Sequence, residues 1–182
     1  MRISVFTLVI ALFAAVVQAQ SVESKASISA IGGFGKTFDD EGSLGRGWLA
    51  GAAVDRVLFG TTRAELSLEV LTHDRNSGYF LSNGQTTIGG LSLLHRFGRG
   101  AAQPYVFGGL TAGHHSGTNI FSGSAVKLSN NNLGFRTGFG VAIRAGTRFE
   151  VSPEIRLNGF FVDDDSDPAM LMSFGIRFGV RL

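Results

Sequence analysis

Residues 170–182 read MLMSFGIRFGVRL, and this stretch repeats with a period of two. One set of alternate positions is apolar from Met170 to Leu182, while the other set consists mainly of glycine, serine and arginine. Successive side chains of a β-strand point to opposite faces, so the stretch predicts a strand with one apolar and one cationic face. A tilted strand of about nine to eleven residues crosses a bilayer. The stretch therefore predicts the closing strand of a transmembrane barrel, and the edge of a soluble sandwich is the alternative.

The composition is poor in charge and rich in glycine and phenylalanine. Hydrophobic residues make up 44% and charged residues 16% of the 182 residues, against roughly 25% charged residues in average soluble domains. The chain contains no cysteine, which excludes disulfides, metal–thiolate sites and a cysteine nucleophile. The net charge of +2 is too small to indicate a nucleic-acid partner.

Residues 1–19 have the features of a secretory signal sequence. Arg2 supplies the positive charge, residues 3–17 are apolar except for Ser4 and Thr7, and Ala19 precedes the expected cleavage site. The apolar run is shorter than the roughly 20 residues that a spanning helix needs. We therefore expect an exported protein in which residues 20–182 form one domain, and only a closed barrel would place that domain in a membrane.

The alternation recurs along the chain and is clearest at residues 62–70, where Leu66 and Leu68 lie opposite Glu65 and Glu69. It predicts eight strands, at residues 24–34, 47–55, 62–70, 86–97, 103–113, 132–144, 148–157 and 170–182. We expect short turns at 58–60, 98–100 and 145–146, and longer polar loops at 39–43, 73–85, 114–131 and 163–168. Alternating short turns and long loops are typical of outer-membrane barrels, whose short turns are periplasmic.

The fourth strand is apolar on both faces, so its orientation is the hardest to predict. We expect Leu91, Leu93 and Phe97 on the outside of the barrel. Ser92 and Arg96 are then expected on the inside.

The position of the charges distinguishes a membrane barrel from a soluble one. The charged residues within the predicted strands lie opposite the apolar face. A lipocalin-like soluble barrel would turn the apolar face inward around a ligand, with the charges in water. Bulky residues on the apolar face, opposite glycine and serine, instead favour a narrow interior and a wide lipid-facing surface. The sequence thus predicts an all-β fold, an eight-stranded antiparallel up-and-down transmembrane β-barrel.

Several short motifs resemble those of the outer-membrane protein β-barrel family, the small eight-stranded barrels of the OmpA, OmpX and OmpW type. They are PYVFGG at 104–109, FxTGxG at 135–140, EIR at 154–156 and the last strand. Within that strand Ser173, Gly175, Phe178 and Val180 resemble the assembly signal of such barrels, although members usually end in an aromatic residue where this chain has Leu182. The resemblance implies a location in the bacterial outer membrane, a monomeric state, and contacts with outer-membrane lipids and the barrel-assembly machinery.

The charges on the inner face predict an ion-pair network. The interior of an eight-stranded barrel is just wide enough for side chains to fill it. Buried charges are tolerated when they are paired, and the two signs on this face are nearly balanced. The residues expected in the network are Arg63, Glu65, Glu69, Arg136, Glu154, Arg156 and Arg177. The network predicts a rigid barrel without an open pore. For the protein as a whole we expect a structural or surface-interaction role, with no metal and no cofactor.

Two other chemistries are weighed against this role. His114 and Ser116 share a strand face, so a His–Ser pair is possible, and some outer-membrane barrels that resemble this layout are lipid A deacylases. Gly117 occupies the position where those enzymes have an asparagine, which argues against catalysis. Residues 163–167 include four aspartates but lack the spacing of a calcium-binding EF-hand loop. A lipid A-modifying enzyme and a soluble periplasmic binding barrel are the alternative functions.

Overall fold

The computed structural model of the protein describes residues 26–39, 42–77, 80–98, 100–121, 124–161 and 169–182. The predicted signal sequence, residues 1–19, and most of the predicted acidic loop at 163–168 lie outside the described residues. Within the described ranges, no helix is long and apolar enough to cross a membrane.

Eight antiparallel strands follow one another in chain order and close into a barrel. The strands are β1 (Ala26–Asp39), β2 (Gly42–Phe59), β3 (Thr62–Ser77), β4 (Phe80–Arg96), β5 (Ala102–Phe121), β6 (Ser124–Ala145), β7 (Phe149–Phe160) and β8 (Ala169–Arg181). The last strand pairs with the first from Ser27↔Arg181 to Phe38↔Met170, which closes the barrel. The predicted eight-stranded antiparallel up-and-down barrel is confirmed.

Three tight turns lie at one end of the barrel, which we call the short-turn end. Each contains a glycine with a positive φ, namely Gly60 at 54°, Gly98 at 79° and Gly146 at 76°. This left-handed conformation is disfavoured for residues with a Cβ atom, so glycine is the residue that closes these hairpins with least strain. All three turns fall where the sequence predicts short connections.

Two of the predicted loops are wrong. Residues 73–85 and 114–131 are largely strand, because β3 continues to Ser77, β4 begins at Phe80, β5 continues to Phe121 and β6 begins at Ser124. The predicted loop at 39–43 is also narrower than expected, since β2 begins at Gly42. These strand extensions pass beyond the apolar part of the barrel, where strand pairing does not require an apolar face. Their polar composition therefore resembles that of a loop.

Large apolar side chains form a belt on the outside of the barrel. The most exposed within the strands include Trp48 at 73%, Leu133 at 71% and Leu110 at 69%. Neighbouring strands add Phe139, Phe174 and Phe178, each 57–58% exposed. A soluble protein rarely exposes so continuous an apolar surface. The belt is the lipid-facing surface predicted from the alternation.

The inward and outward faces of β4 are those predicted from the sequence. Leu91, Leu93 and Phe97 are 48%, 57% and 48% exposed, whereas Ser92 is 3% exposed. Arg96 also turns inward, where its guanidinium contacts Glu150.

Arginine at Leu93 tests the orientation of this belt. Leu93 lies near the middle of the apolar section of β4 and pairs with Ala64 and Gly108. An arginine on the lipid face near mid-membrane costs about 2–4 kcal/mol. We expect Leu93→Arg to lower the free energy of unfolding by about this amount, measured by urea unfolding in lipid vesicles.

A matched control uses the same strand and the same face. Gln85 is exposed and lies beyond the apolar belt, so Gln85→Arg should leave the unfolding free energy nearly unchanged. Equal losses for the two variants would contradict the membrane orientation.

Candidate functional site

The inner face of the barrel carries charged residues at alternate positions of facing strands. Glu65 and Glu69 lie on β3, Arg136 on β6, Glu154 and Arg156 on β7, and Arg177 on β8. Strand β7 is four positions from β3 in the ring of eight strands, so these two strands form opposite walls. Side chains from both walls therefore meet across the lumen.

These six side chains form an alternating series of bases and acids, which we call the interior charge chain. Its order is Arg136, Glu69, Arg156, Glu154, Arg177 and Glu65. Nη2 of Arg136 lies 2.8 Å from Oε1 of Glu69, and Nη2 of Arg177 lies 3.1 Å from Oε2 of Glu154. None of the six residues is more than 4% exposed.

The composition of the interior charge chain makes it electrically neutral. It contains three arginines and three glutamates. Arg156 contacts both Glu69 and Glu154, and Arg177 contacts both Glu65 and Glu154. Removing a charge from water is costly unless opposite charges and hydrogen bonds compensate for it. Because acids and bases alternate, each charge in the interior charge chain has an opposite charge beside it.

Arg63, which the sequence groups with the network, lies beside a different acid. Its Nε contacts Oδ1 of Asp55, and Asp55 also accepts a hydrogen bond from the Ser27 hydroxyl. Another ion pair near the short-turn end joins Arg96 and Glu150 through two hydrogen bonds of 2.6 and 2.7 Å.

Asp55 is a site residue that the sequence-based prediction missed. Trp48, Ala50, Ala52 and Val54 alternate toward the outside, so Asp55 must face inward. That signal is present in the sequence. The pairing of Arg96 with Glu150 requires knowledge of the distance across the lumen.

Two aromatic rings pack against the interior charge chain. The Tyr105 hydroxyl donates a hydrogen bond of 2.7 Å to Oε2 of Glu154. The Phe107 ring lies 5.8 Å from Cζ of Arg136 and 5.6 Å from Cζ of Arg156, within the range of a cation–π contact. The rings thus supply contacts to both an acid and two bases of the chain.

Glycines on the inner face leave room for these groups. A Cβ atom on Gly140 would lie 2.6 Å from the Tyr105 hydroxyl, and one on Gly138 would overlap the Phe107 ring. A Cβ atom on Gly90 would overlap Nη1 of Arg136. Glycine is therefore needed at these three positions, because the guanidinium of Arg136 and the two aromatic rings occupy the space that a Cβ atom would fill.

An apolar layer lies inside the barrel on the side away from the short turns. It consists of Ile31, Leu49, Ala53, Leu71, Ile88, Phe160 and Leu171, all buried. A second buried cluster, on β4, β5 and β6, contains Leu94, Tyr105, Phe107 and Ala142. Together with the interior charge chain, these clusters fill the lumen with side chains.

The two histidines on β5 lie beyond the apolar belt and make separate contacts. Nδ1 of His114 lies 2.7 Å from Oδ1 of Asn131, and Nδ1 of His115 lies 3.0 Å from the Thr86 hydroxyl. Partial burial lowers the pKa of His115, and a charge on the adjacent His114 lowers it further. Ser116 is exposed, as is His114. Across the part of the chain that is described, no three His, Cys, Asp or Glu side chains are grouped to hold a metal ion.

The residues of the predicted assembly signal lie on both faces of β8. Ser173 and Gly175 face the interior, whereas Phe178 and Val180 are 58% and 41% exposed on the outside. Their role in assembly stays a prediction.

Comparison with known proteins gives matches in structure alone. No family model matches the chain, and no curated protein matches its sequence. Neisserial surface protein A superposes with a TM-score of 0.70 and 12% identity, over 88% of this chain and 100% of that one. A major outer membrane protein from Thermus thermophilus gives 0.65 and 14%, over 88% and 100%.

A third similar structure is Ail, the attachment invasion locus protein of Yersinia pestis, with a TM-score of 0.60 and 13% identity over 87% of this chain and 99% of that one. The fold is that of a small bacterial outer-membrane barrel. The exposed apolar belt agrees with this fold, and the predicted outer-membrane location is confirmed by the two together. Sequence identities of 12–14% support a shared fold and do not support a shared function.

Removal of Glu69 tests the interior charge chain. Glu69 contacts Arg136 and Arg156, so Glu69→Met leaves three arginines against two glutamates in a buried site. Breaking a buried ion pair by removing one partner costs about 3–5 kcal/mol. We expect a loss of about this size in the free energy of unfolding, measured by urea unfolding in lipid vesicles.

The double variant Glu69→Met/Arg136→Met provides the control. It restores an equal number of acids and bases, because Arg156, Glu154, Arg177 and Glu65 still alternate. We expect it to be more stable than Glu69→Met alone. The single variant Arg136→Met completes the cycle. If the stability loss of the double variant equals the sum of the losses of Glu69→Met and Arg136→Met, the two charges are not coupled and the network is not a unit.

Proposed function

We propose that the protein is a non-conducting, non-enzymatic outer-membrane barrel that presents a protruding β-sheet as a binding surface. The observation that carries this proposal is the unequal height of the strands. Strand β5 extends to Phe121 and β6 begins at Ser124, whereas the neighbouring β7 ends at Phe160. The ladder between β6 and β7 begins at Gly134 on β6, so residues 124–132 project beyond it.

The projecting part of β6 is paired on one side. Its residues pair with β5 up to Phe121↔Ser124. Among the described residues, no strand pairs with residues 124–132 on the side of β7. Nine residues of strand correspond to about 30 Å of open edge. An open edge offers unpaired backbone donors and acceptors to an extended peptide.

The direction of the backbone groups along this edge follows from one hydrogen bond. The Phe161 N–H donates to the Leu133 carbonyl at 2.8 Å, so the backbone groups of Leu133 point toward β7. Backbone groups alternate in direction along a strand. Ser129 and Asn131 therefore point their N–H and C=O groups toward the open side, while Asn130 and Asn132 point toward β5. Ser129, Asn130 and Asn131 are exposed.

The polar composition of the edge fits binding through the main chain. Residues 124–132 read SAVKLSNNN and offer few large apolar side chains. Strand addition takes its affinity from backbone hydrogen bonds and its specificity from side chains at alternate positions. We infer that the partner is an extended peptide segment that adds to β6 as an antiparallel or parallel strand.

The names of two similar structures are compatible with a surface role but do not establish one for this chain. One is a Neisserial surface protein, and the other is the attachment invasion locus protein of Yersinia pestis, which has also been seen with the heparin analogue sucrose octasulfate. At 12–14% identity the likeness supports the fold alone. The proposed role rests on the geometry of β6.

The contacts of His114 argue against the enzymatic alternative. A His–Ser pair would need the His114 ring to activate the Ser116 hydroxyl. Among the described residues, no hydrogen bond joins His114 to Ser116; the hydrogen bond of the His114 ring is made by Nδ1 to Asn131, and both His114 and Ser116 are exposed beyond the apolar belt. We therefore propose that lipid A modification is not the function. The proposed partners within the membrane are outer-membrane lipids and the barrel-assembly machinery, and the proposed state is a monomer.

The filled lumen leads to an expectation for conductance. The interior charge chain and the apolar layer occupy the cross-section of the barrel. We expect purified monomer in planar lipid bilayers to give no stable single-channel steps above the baseline. Large, long-lived steps from protein shown to be monomeric would contradict the non-conducting role, because they require a water-filled path.

Backbone amide exchange tests the open edge. In deuterated buffer, the amides of Ser129 and Asn131 should exchange faster than those of Asn130 and Asn132, because the ladder to β5 protects the latter pair. The measurement is hydrogen exchange by NMR of the protein in detergent micelles. Equal protection of all four amides would mean that another segment covers the edge, and the proposed binding surface would then be occupied within the chain itself.

A proline variant separates main-chain binding from side-chain binding. Ser129→Pro removes an N–H group on the open side and keeps the ladder to β5, whereas Ser129→Ala keeps the N–H group. For a peptide partner obtained by selection against the purified barrel, Ser129→Pro should weaken binding and Ser129→Ala should not. Equal effects of both changes would indicate side-chain recognition.

A further inference from the structure

A cavity at the short-turn end of the barrel is lined by three arginines. It has a volume of about 330 Å³ and is bordered by Arg63, Arg148, Arg181, Thr147, Ala26 and Leu182. We propose that this cavity is an anion-binding site for a small phosphate-bearing group. Pockets of this size lie at the lower end of the range found for small-molecule sites, which indicates a compact ligand.

The walls of the cavity are held in place by backbone hydrogen bonds. The Arg181 N–H donates to the Arg148 carbonyl at 2.8 Å, and the Leu182 N–H donates to the Ala26 carbonyl at 2.9 Å. These bonds connect the beginning of β1, the end of β8 and the turn before β7. The backbone of Arg148 and Arg181 is therefore positioned by the closure of the barrel.

The acids near this end are already engaged with other cations. Asp55 contacts Arg63 and Ser27, and Glu150 binds Arg96 through two hydrogen bonds. In the described part of the chain, no ion pair joins either Arg148 or Arg181 to an acidic side chain. Their guanidinium groups therefore line the cavity without an ion-paired acidic side chain among the described residues.

The guanidinium group determines the class of ligand. It presents a planar set of N–H donors that matches two oxygens of a phosphate at once. Two such groups, from Arg148 and Arg181, suit a phosphate with several anionic oxygens. The Thr147 side chain adds a hydroxyl group to the same lining.

The position of the cavity at the edge of the apolar belt allows two sources of phosphate. Phe149 and Leu182 are 60% and 67% exposed at this end, so the apolar belt ends beside the cavity. A phospholipid headgroup of the adjoining leaflet and a soluble phosphate ester are therefore both within reach. Their shared chemistry is the phosphate group, and the experiment below distinguishes them.

The test is a titration of the folded barrel in maltoside micelles with inorganic phosphate and with glycerol 3-phosphate, followed by NMR of the arginine side-chain N–H groups. We expect saturable shifts that Arg148→Gln and Arg181→Gln each weaken by about tenfold or more, since each removes a charge-assisted hydrogen bond. Arg56→Gln removes the same charge from the outer face of β2 and should leave binding unchanged. Gel mobility before and after heating verifies that each variant folds.

Two results would overturn the proposal. One is the absence of saturable binding by the wild-type protein. The other is equal weakening by Arg56→Gln, which would show a general attraction of anions to the basic end of the barrel.

A second arm identifies the source of the phosphate. The same titration is repeated in nanodiscs of phosphatidylcholine, whose headgroups carry a phosphate without a net charge, and is compared with the titration in phosphate-free maltoside micelles. If the nanodisc weakens phosphate binding to the wild-type protein relative to the micelle, a lipid headgroup competes for the cavity. If it has no effect while binding persists, the ligand is a soluble phosphate ester. Either result is consistent with an anion site, and each assigns a different ligand to it.

Discussion

The pairing of β1 with β8 is the constraint on which the structure depends. A bilayer core offers no water to backbone N–H and C=O groups, so a sheet can cross it only if it has no edge. Twelve residue pairs, from Ser27↔Arg181 to Phe38↔Met170, remove the two edges that eight strands would otherwise leave. Closure also turns one face of every strand inward. The narrow lumen and the charges inside it are consequences of this pairing.

The interior charge chain answers a problem that closure creates. Six charged side chains in a water-poor lumen are tolerated because acids and bases alternate along the chain. The contact between Arg156 on β7 and Glu69 on β3 joins opposite walls. The rings of Tyr105 and Phe107, with the glycines opposite them, complete the packing. The result is an interior in which buried side chains from opposite walls contact one another.

The sequence predicts the membrane part of the fold well, because lipid imposes an apolar residue at every second position. Residues 62–70 and 170–182 illustrate this: both alternate as expected, with Glu69 and Arg177 inside. Residues 114–121 and 124–131 have the composition of a loop because no such demand exists beyond the bilayer, where polar residues pair equally well in strands.

The partners within the lumen are harder to predict than its lining. Arg156 and Glu69 are separated by 87 positions in the sequence, and their contact depends on the stagger of the strands around the barrel. Arg63 contacts Asp55 for a different reason, because the register of the β2–β3 hairpin makes the two residues diagonal neighbours, although alternation alone groups Arg63 with the other inward charges. Inward direction is a local property, whereas pairing across the lumen is a property of the closed sheet.

The distribution of the interior charge chain along the polypeptide has a consequence for the order of assembly. Its acids Glu65 and Glu69 lie on β3, but the arginines that neutralise them arrive with β6, β7 and β8. An intermediate in which only the first four strands have entered the bilayer would hold these carboxylates without counter-ions. Such an intermediate is costly in hydrocarbon. Stepwise insertion from the amino-terminal end is therefore disfavoured. The cost of burying the β3 carboxylates is lowest when β6, β7 and β8 enter the membrane together with β3.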